Sequence, residues 1–228
     1  MRSILVDRAE IDRAIALLFK LSDGVEVRIP KTRAGTVAGY FDDLTVMATA
    51  ICGADASYRP SGVYFVLNEI NPALLGRAYN RLRERAELTT SDNNILRRRW
   101  LPIDLDPVRP AGVSSSDEEH EAALDRARTI ADDMATEWER PMIGDSGNGA
   151  HLLYPIDLPN DAASLKSVAG LLADLDRRYS DHVVKVDTTS ANAARIWKVY
   201  GTVARKGDSI PGRPHRVSRI LKVPGDKQ

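Results

Sequence analysis

The segment Arg99-Trp-Leu-Pro-Ile-Asp-Leu-Asp-Pro constrains this chain more than any other stretch of its 228 residues. Apolar residues alternate there with two carboxylates, a period of two, so residues 100–106 read as a strand, closed by Pro107 and Pro110. Ile103 and Leu105 project to one face and Asp104 and Asp106 to the other. The Cα atoms of the two aspartates then lie about 6.6–6.8 Å apart, and their carboxylates converge. Two ionised carboxylates so close repel each other unless a cation neutralises them, and hard oxygen ligands suit Mg²⁺ or Mn²⁺. Asp-x-Asp alone is a common pattern, and a solvated strand edge is the competing reading.

Periodicity elsewhere supplies the scaffold. Residues 7–21 read as a helix with Ile11, Ala14, Ile15, Leu18 and Leu21 on one face, stopped by Gly24. Residues 25–29 and 62–67 read as strands, and a Gly/Thr loop leads to the segment 40–44. Pro72 opens a helix with the stripe Leu75, Ala78, Tyr79 and Leu82. Ser116 and Glu119 form a capping box for a helix burying Ala123, Ala127, Ile130, Met134 and Trp138. Residues 151–156 form a strand. Pro159 and Asn160 turn into a helix with Leu165, Val168, Leu172, Leu175 and Tyr179 inward. Residues 183–186, 196–203 and 217–223 add strands. Helices between mostly non-consecutive strands predict an α+β domain.

Charge decides less than its placement does. Lys plus Arg equal Asp plus Glu at 32 each, and a neutral chain argues mildly against a nucleic-acid partner. The charges are segregated, however. Arg77, Arg81, Arg83, Arg85, Arg97, Arg98 and Arg99 crowd one stretch, and the residues from Arg195 to Lys222 another. Such a chain either carries a basic groove or simply solvated faces. No apolar run reaches the ~20 residues that span a bilayer. Charge enters too early at the N-terminus for a secretory signal. Cys52 stands alone, so no intramolecular disulfide or cysteine-based zinc site is expected, and a reduced cytoplasm fits. Cys52, Trp100, Trp138 and Trp197 read as core, and His120 as solvated.

Two further segments carry chemistry. In Gly144-Asp-Ser-Gly-Asn-Gly-Ala-His, the glycines free the backbone to turn and to offer N–H groups to an anion. Ser146 and Asn148 add donors, and His151 opens the next strand pointing back at the loop. A phosphate cradle and a plain hairpin turn both fit. Asp187 ends the apolar run Val183-Val-Lys-Val, where a ligand commonly emerges, and Arg195 and Lys198 follow as cations for a triphosphate. Three carboxylates, a glycine-rich polar loop and two cations together suit phosphoryl or nucleotidyl transfer.

The ordered set Asp104-x-Asp106, Ser146-Gly-Asn-Gly-x-His151 and apolar-Asp187 resembles the three motifs of the archaeo-eukaryotic primase superfamily, in its primase–polymerase form from plasmid, phage and mobile-element replication proteins. Asn192-x-x-Arg195-Ile-Trp-Lys198-x-Tyr-Gly201-Thr adds to the likeness, which runs from about Gly62 to Arg205. The resemblance implies a catalytic core with an RNA-recognition-motif-like sheet beside a smaller N-terminal α/β module. One catalytic domain would fill residues 1–228, with the module at about 1–95 and the core at about 96–223. It implies that Asp104, Asp106 and Asp187 hold two Mg²⁺ or Mn²⁺ ions. Ser146, Asn148, His151, Arg195 and Lys198 would hold the nucleotide. The partners implied are a DNA template and primer and an NTP or dNTP, with a helicase domain beyond Gln228 in a longer protein. The zinc module of several primases has no counterpart here. A glycosyltransferase whose Asp-x-Asp holds Mn²⁺ and a nucleotide sugar is a second reading, but it leaves residues 146–151 and Asp187 without work. A non-catalytic module for single-stranded or origin DNA is a third, and it explains the arginines but not the carboxylates. Strand alternation places Arg98 on the aspartate face, where it would meet a DNA phosphate, or else pair with an acid such as Glu139.

Overall fold

The structure, a computed structural model, describes residues 4–20 and 24–225. Its first helix, α1 (Arg8–Leu18), starts where the Asp7 carboxylate accepts the Glu10 N–H and buries Ile11, Ala14, Ile15 and Leu18. Leu21, expected on the same face, lies outside the described residues. Strands β1 (Val25–Thr32) and β2 (Gly35–Phe41) pair antiparallel. The expected Gly/Thr loop ahead of Tyr40 is therefore largely strand, which ends at Phe41. Leu44 begins α2 (Leu44–Tyr58), a helix that periodicity missed because Val46, Thr49, Ile51 and Gly53 are weak helix formers. Tertiary packing overrides them: Met47, Ala48, Ile51 and Ala54 enter the core, and Asp43 caps the Thr45 and Val46 N–H groups.

β3 (Tyr64–Val66) and β4 (Glu69–Ile70) follow. Pro72 opens only a short 3₁₀ turn, Pro72–Arg77, and not the expected longer helix. Asn80 takes a positive φ of 48°, its side chain accepts the Asp42 and Asp43 N–H groups, and Tyr79 is left 59% exposed. β5 (Leu82–Arg83) then joins β2. The aspartate strand is longer than its motif, β6 (Ile95–Pro107), and takes in all three arginines.

The capping box of Ser116 and Glu119 opens α3 (Asp117–Met134); Trp138 falls beyond it and is 36% exposed. β7 (Met142–Asp145) and β8 (Ala150–Pro159) form a hairpin, which makes Gly144 a strand residue and leaves the turn to Gly147, with φ of 88°. Asp161 caps α4 (Ala162–Tyr179), which buries Val168, Leu172 and Leu175 but leaves Leu165 42% exposed. The remaining strands are β9 (Val184–Val186), β10 (Ile196–Lys198), β11 (Val203–Ala204), β12 (Arg216–Val217) and β13 (Arg219–Lys222).

These elements make an α+β fold with two main sheets. One runs β10-β3-β1-β2-β5 and the other β13-β7-β8-β6-β4, with β9 also on β6. The sheets exchange chain: β4 leaves the N-terminal half for the second sheet, and β10 returns from the C-terminal half to the first. One face of the second sheet is dry, with Leu101, Ile103, Leu105, Leu152 and Tyr154 packed against apolar residues of α3 and α4. On the other face Leu153 and Met142 join a core shared with α1, α2 and the first sheet. That second packing covers only part of the face. Where it stops, a cavity of about 180 Å³ opens between the sheets. Among the described residues no helix is long and apolar enough to cross a membrane.

Candidate active site

Three sequence-distant segments meet on that open face. Asp104 of β6 stands directly across from His151 of β8. On the other flank of β6, Leu105 pairs with Val186 of β9, and the Asp187 N–H donates to the Asp104 carbonyl at 2.9 Å. Asp104, Asp106, Ser146, Asn148, His151, Arg195 and Lys198 all line the cavity, joined by Ser61, Tyr64, Trp197 and Lys206. Asp187 stands beside the cavity, its carboxylate held by the Arg195 guanidinium at 2.5 Å.

The carboxylates differ in environment. Burial raises the Asp104 carboxyl well above its ordinary value, and repulsion from Asp106 and then Asp187 adds to it. Among the described residues no donor reaches the Asp104 carboxylate closer than His151 Nε2, at 3.6 Å. Burial also pushes Asp187 upward, but the Thr189 hydroxyl and N–H, with Arg195, outweigh it and hold Asp187 below its ordinary value. Asp106 receives Arg109 at 3.3 Å. No cluster of three acid, histidine or cysteine side chains is preassembled for a metal among the described residues. The donor chemistry nonetheless fits a hard divalent cation at Asp104 and Asp106, whose mutual repulsion such an ion would relieve; Asp187 could join only by exchanging Arg195.

The glycine loop differs from the expected cradle of free N–H groups. The Gly147 N–H donates to Asp145 Oδ1 at 2.6 Å, and the Asn148 and Gly149 N–H groups donate to Ser146 Oγ at 3.3 and 2.9 Å. Those donors are spent inside the turn. What remains is Ser146 itself: with its oxygen accepting twice, its own O–H is left to donate into the cavity. Asn148 Oδ1 accepts the Ser115 N–H, which fixes that amide beside it. Asp145 also receives His120 Nε2 at 2.8 Å, so His120 is a half-buried brace of this loop and not the solvated residue its acidic helix suggested.

Burial lowers the His151 imidazole to about 3, with Lys198 adding to the shift, so the ring is neutral at physiological pH. It lies 4.1 Å from the Trp197 ring. Lys198 is also buried, which brings its ammonium down to about 7; it donates to the Val203 carbonyl at 3.0 Å and sits over the Tyr64 ring. Sequence assigned no role to Tyr64, which falls within the resembling stretch, to Lys206, one of the clustered cations, or to Ser61; only the fold brings the three to the cavity.

The arginine clusters are largely consumed within the protein. Arg97 and Arg99 both pair with Asp157, and Arg99 also with Glu69. Arg213 pairs with Glu119 and Arg216 with Asp117. Arg98 is 4% exposed and donates to the Ala191 carbonyl at 2.8 Å. It does not line the cavity, and its partner is that carbonyl and not Glu139. The β6–β8 register shifts between Arg98 and Trp100, with the extra residue on β8.

No family model matches the chain, and no curated protein matches it in sequence. Among solved structures, the polymerase domain from Mycobacterium tuberculosis Ligase D, in complex with DNA, is similar at 14% identity with a TM-score of 0.44, over 95% of this chain and 88% of that one. A likeness of that degree carries no functional weight.

Proposed function

We propose that this chain is a template-dependent nucleotidyltransferase that extends a DNA 3′-hydroxyl with NTP or dNTP. The observation that carries the reading is that Asp104 and His151 line one cavity from paired strands, with Asp187, just past the end of β9, beside them. The cavity also sets two carboxylates against three cations, Arg195, Lys198 and Lys206, the balance expected of a site for an anionic, metal-bearing nucleotide.

In the reaction the 3′-oxygen attacks the α-phosphorus in line; the new P–O bond forms as the bond to pyrophosphate breaks, and the hydroxyl proton leaves to solvent. Divalent ions held by Asp104, Asp106 and Asp187 would polarise the reacting oxygens and offset phosphate charge. The protein's own groups hold the triphosphate. Ser146 donates its O–H, His151 its Nε2–H and Asn148 its amide N–H, and Lys198 and Lys206 compensate charge. All act from a preformed scaffold, so little reorganisation accompanies charge transfer.

Nucleotide incorporation on a primed template, with Mg²⁺ or Mn²⁺ and with chelator, tests the reading beside a nucleotide-sugar hydrolysis assay. The expected result is metal-dependent, template-directed extension and no sugar release. Sugar release without extension would replace the reading with glycosyl transfer.

A further inference from the structure

His151 is 3% exposed, with Tyr200 Oη 2.9 Å from Nδ1 and Asp104 Oδ1 3.6 Å from Nε2. Tyr200 is fully buried, and among the described residues its hydroxyl has one other partner, the Trp197 indole Nε1 at 3.3 Å. An indole N–H only donates, so it occupies an acceptor position on the Tyr200 oxygen and leaves the phenolic proton free to go elsewhere. The acceptor within reach is His151 Nδ1. A neutral imidazole that accepts at Nδ1 carries its proton on Nε2, and Nε2 faces a carboxylate, which welcomes a donor and repels a lone pair. Both ends of the ring thus select one tautomer.

The fold makes room for this arrangement on purpose-built terms. Gly144 of β7 stands directly across from His151, and a Cβ there would come within 2.4 Å of Tyr200 Oη. The missing side chain leaves the slot that the phenol fills. Gly201, next in sequence, has φ of 90°, and a Cβ there would meet the Asp7 carbonyl at 2.6 Å, so the backbone behind Tyr200 is also fixed by a glycine.

We infer that Tyr200 is a positioning residue: held by Trp197 in the slot over Gly144, it donates to His151 Nδ1 and thereby aims the Nε2–H of His151 into the cavity as a permanent donor for an anionic oxygen. The part concerning the anion rests on the proposed nucleotide site; the part concerning the tautomer does not.

Long-range ¹H–¹⁵N correlation of the histidine rings, with His151 assigned through His151→Gln, reads the tautomer directly. The wild-type ring is expected to carry its proton on Nε2 and none on Nδ1. Tyr200→Phe, which preserves the ring volume, should redistribute the proton toward Nδ1, and Gly144→Ala, which displaces the phenol, should do the same. A wild-type ring protonated at Nδ1, or an unchanged Nε2–H ring in both variants, would overturn the inference. In incorporation assays Tyr200→Phe should lower kcat/KM for nucleotide about 10-fold, the scale for losing a group that orients a functional histidine. On a His151→Gln background the same change should cost nothing more. An undiminished loss there would mean that Tyr200 acts by another route. If wild-type protein incorporates no nucleotide, the nucleotidyl-transfer reading fails while the spectrum still decides the tautomer.

Discussion

On the helix side of β6, Leu101, Ile103 and Leu105 are at most 1% exposed; on the cavity side, the side chains of Asp104 and Asp106 keep 26% and 47% of their surface. Alternate residues of one strand thus serve opposite ends. The apolar set contributes burial worth ~1.5–3 kcal/mol per residue, whereas Asp104 costs stability through desolvation and repulsion from Asp106 and Asp187. The dry face supports a face that would not hold together alone, so changes on the two faces should separate stability from activity.

The largest separation is expected at the carboxylates. Asp104→Asn should lower incorporation by roughly 10³-fold, because charge stabilisation at the reacting centre is lost. Its melting temperature should hold or rise, since the fold disfavours the charged form of Asp104. A fall of several degrees in a thermal melt would mean that the carboxylate stabilises the fold. Ile103→Ala, one residue away, should do the reverse. It leaves a cavity under α3 and α4 costing ~2–5 kcal/mol, read by urea denaturation, with near wild-type turnover per folded molecule. A folded Ile103→Ala protein with incorporation as low as Asp104→Asn would erase the contrast.

His151→Ala should cost roughly 10- to 150-fold in catalytic efficiency, the equivalent of a charge-assisted contact of ~1.5–3 kcal/mol, and Ser146→Ala less. Steady-state kinetics indistinguishable from wild type would remove His151 from the nucleotide site. Lys198 sharpens the comparison by pH. Its ordinary value is 10.5 and burial lowers it to about 7, so between those limits the unfolded chain holds a proton that the native state lacks. The penalty on the native state is complete below pH 7 and fades as pH rises to 10.5. Lys198→Met should therefore melt several degrees higher than wild type at pH 6.5, at ~2–4 °C per kcal/mol, with the gap shrinking toward pH 10, while incorporation falls. A variant that melts lower at pH 6.5 would show that the buried ammonium stabilises the fold. The smallest effect is expected at Arg98, whose burial removes it from solvent. Arg98→Ala should leave the salt dependence of DNA binding unchanged by fluorescence anisotropy and lower thermal stability. A slope reduced by about 0.7, one contact to a single strand, would restore it as a phosphate ligand.

What was legible in the sequence follows from how local each cause is. The strand with Asp104 and Asp106 was readable because alternation is a local property, and so were α1, α3 and α4, which carry caps and apolar stripes in their own residues. α2 was not, since its stability comes from packing against other elements. The convergence of residues 104, 151 and 187 was suggested by motif order, yet their relation across three strands is set by β6 pairing on both flanks. Sequence could not reveal that the loop N–H groups are spent on Asp145 and Ser146, nor that Arg97, Arg99, Arg195, Arg205, Arg213 and Arg216 already have acid partners. Those are questions of which neighbour arrives first. Tyr200 lay in a quoted motif without a role, because its work depends on a glycine 56 positions earlier in the sequence.

Primer extension by the folded wild-type chain and by a folded Asp104→Asn, Asp106→Asn double variant, with circular dichroism and melting curves on both, tests the central claim most directly. The account predicts metal-dependent, template-directed extension by the wild type and none by the double variant, whose fold is intact. Equal extension by the two proteins would contradict it.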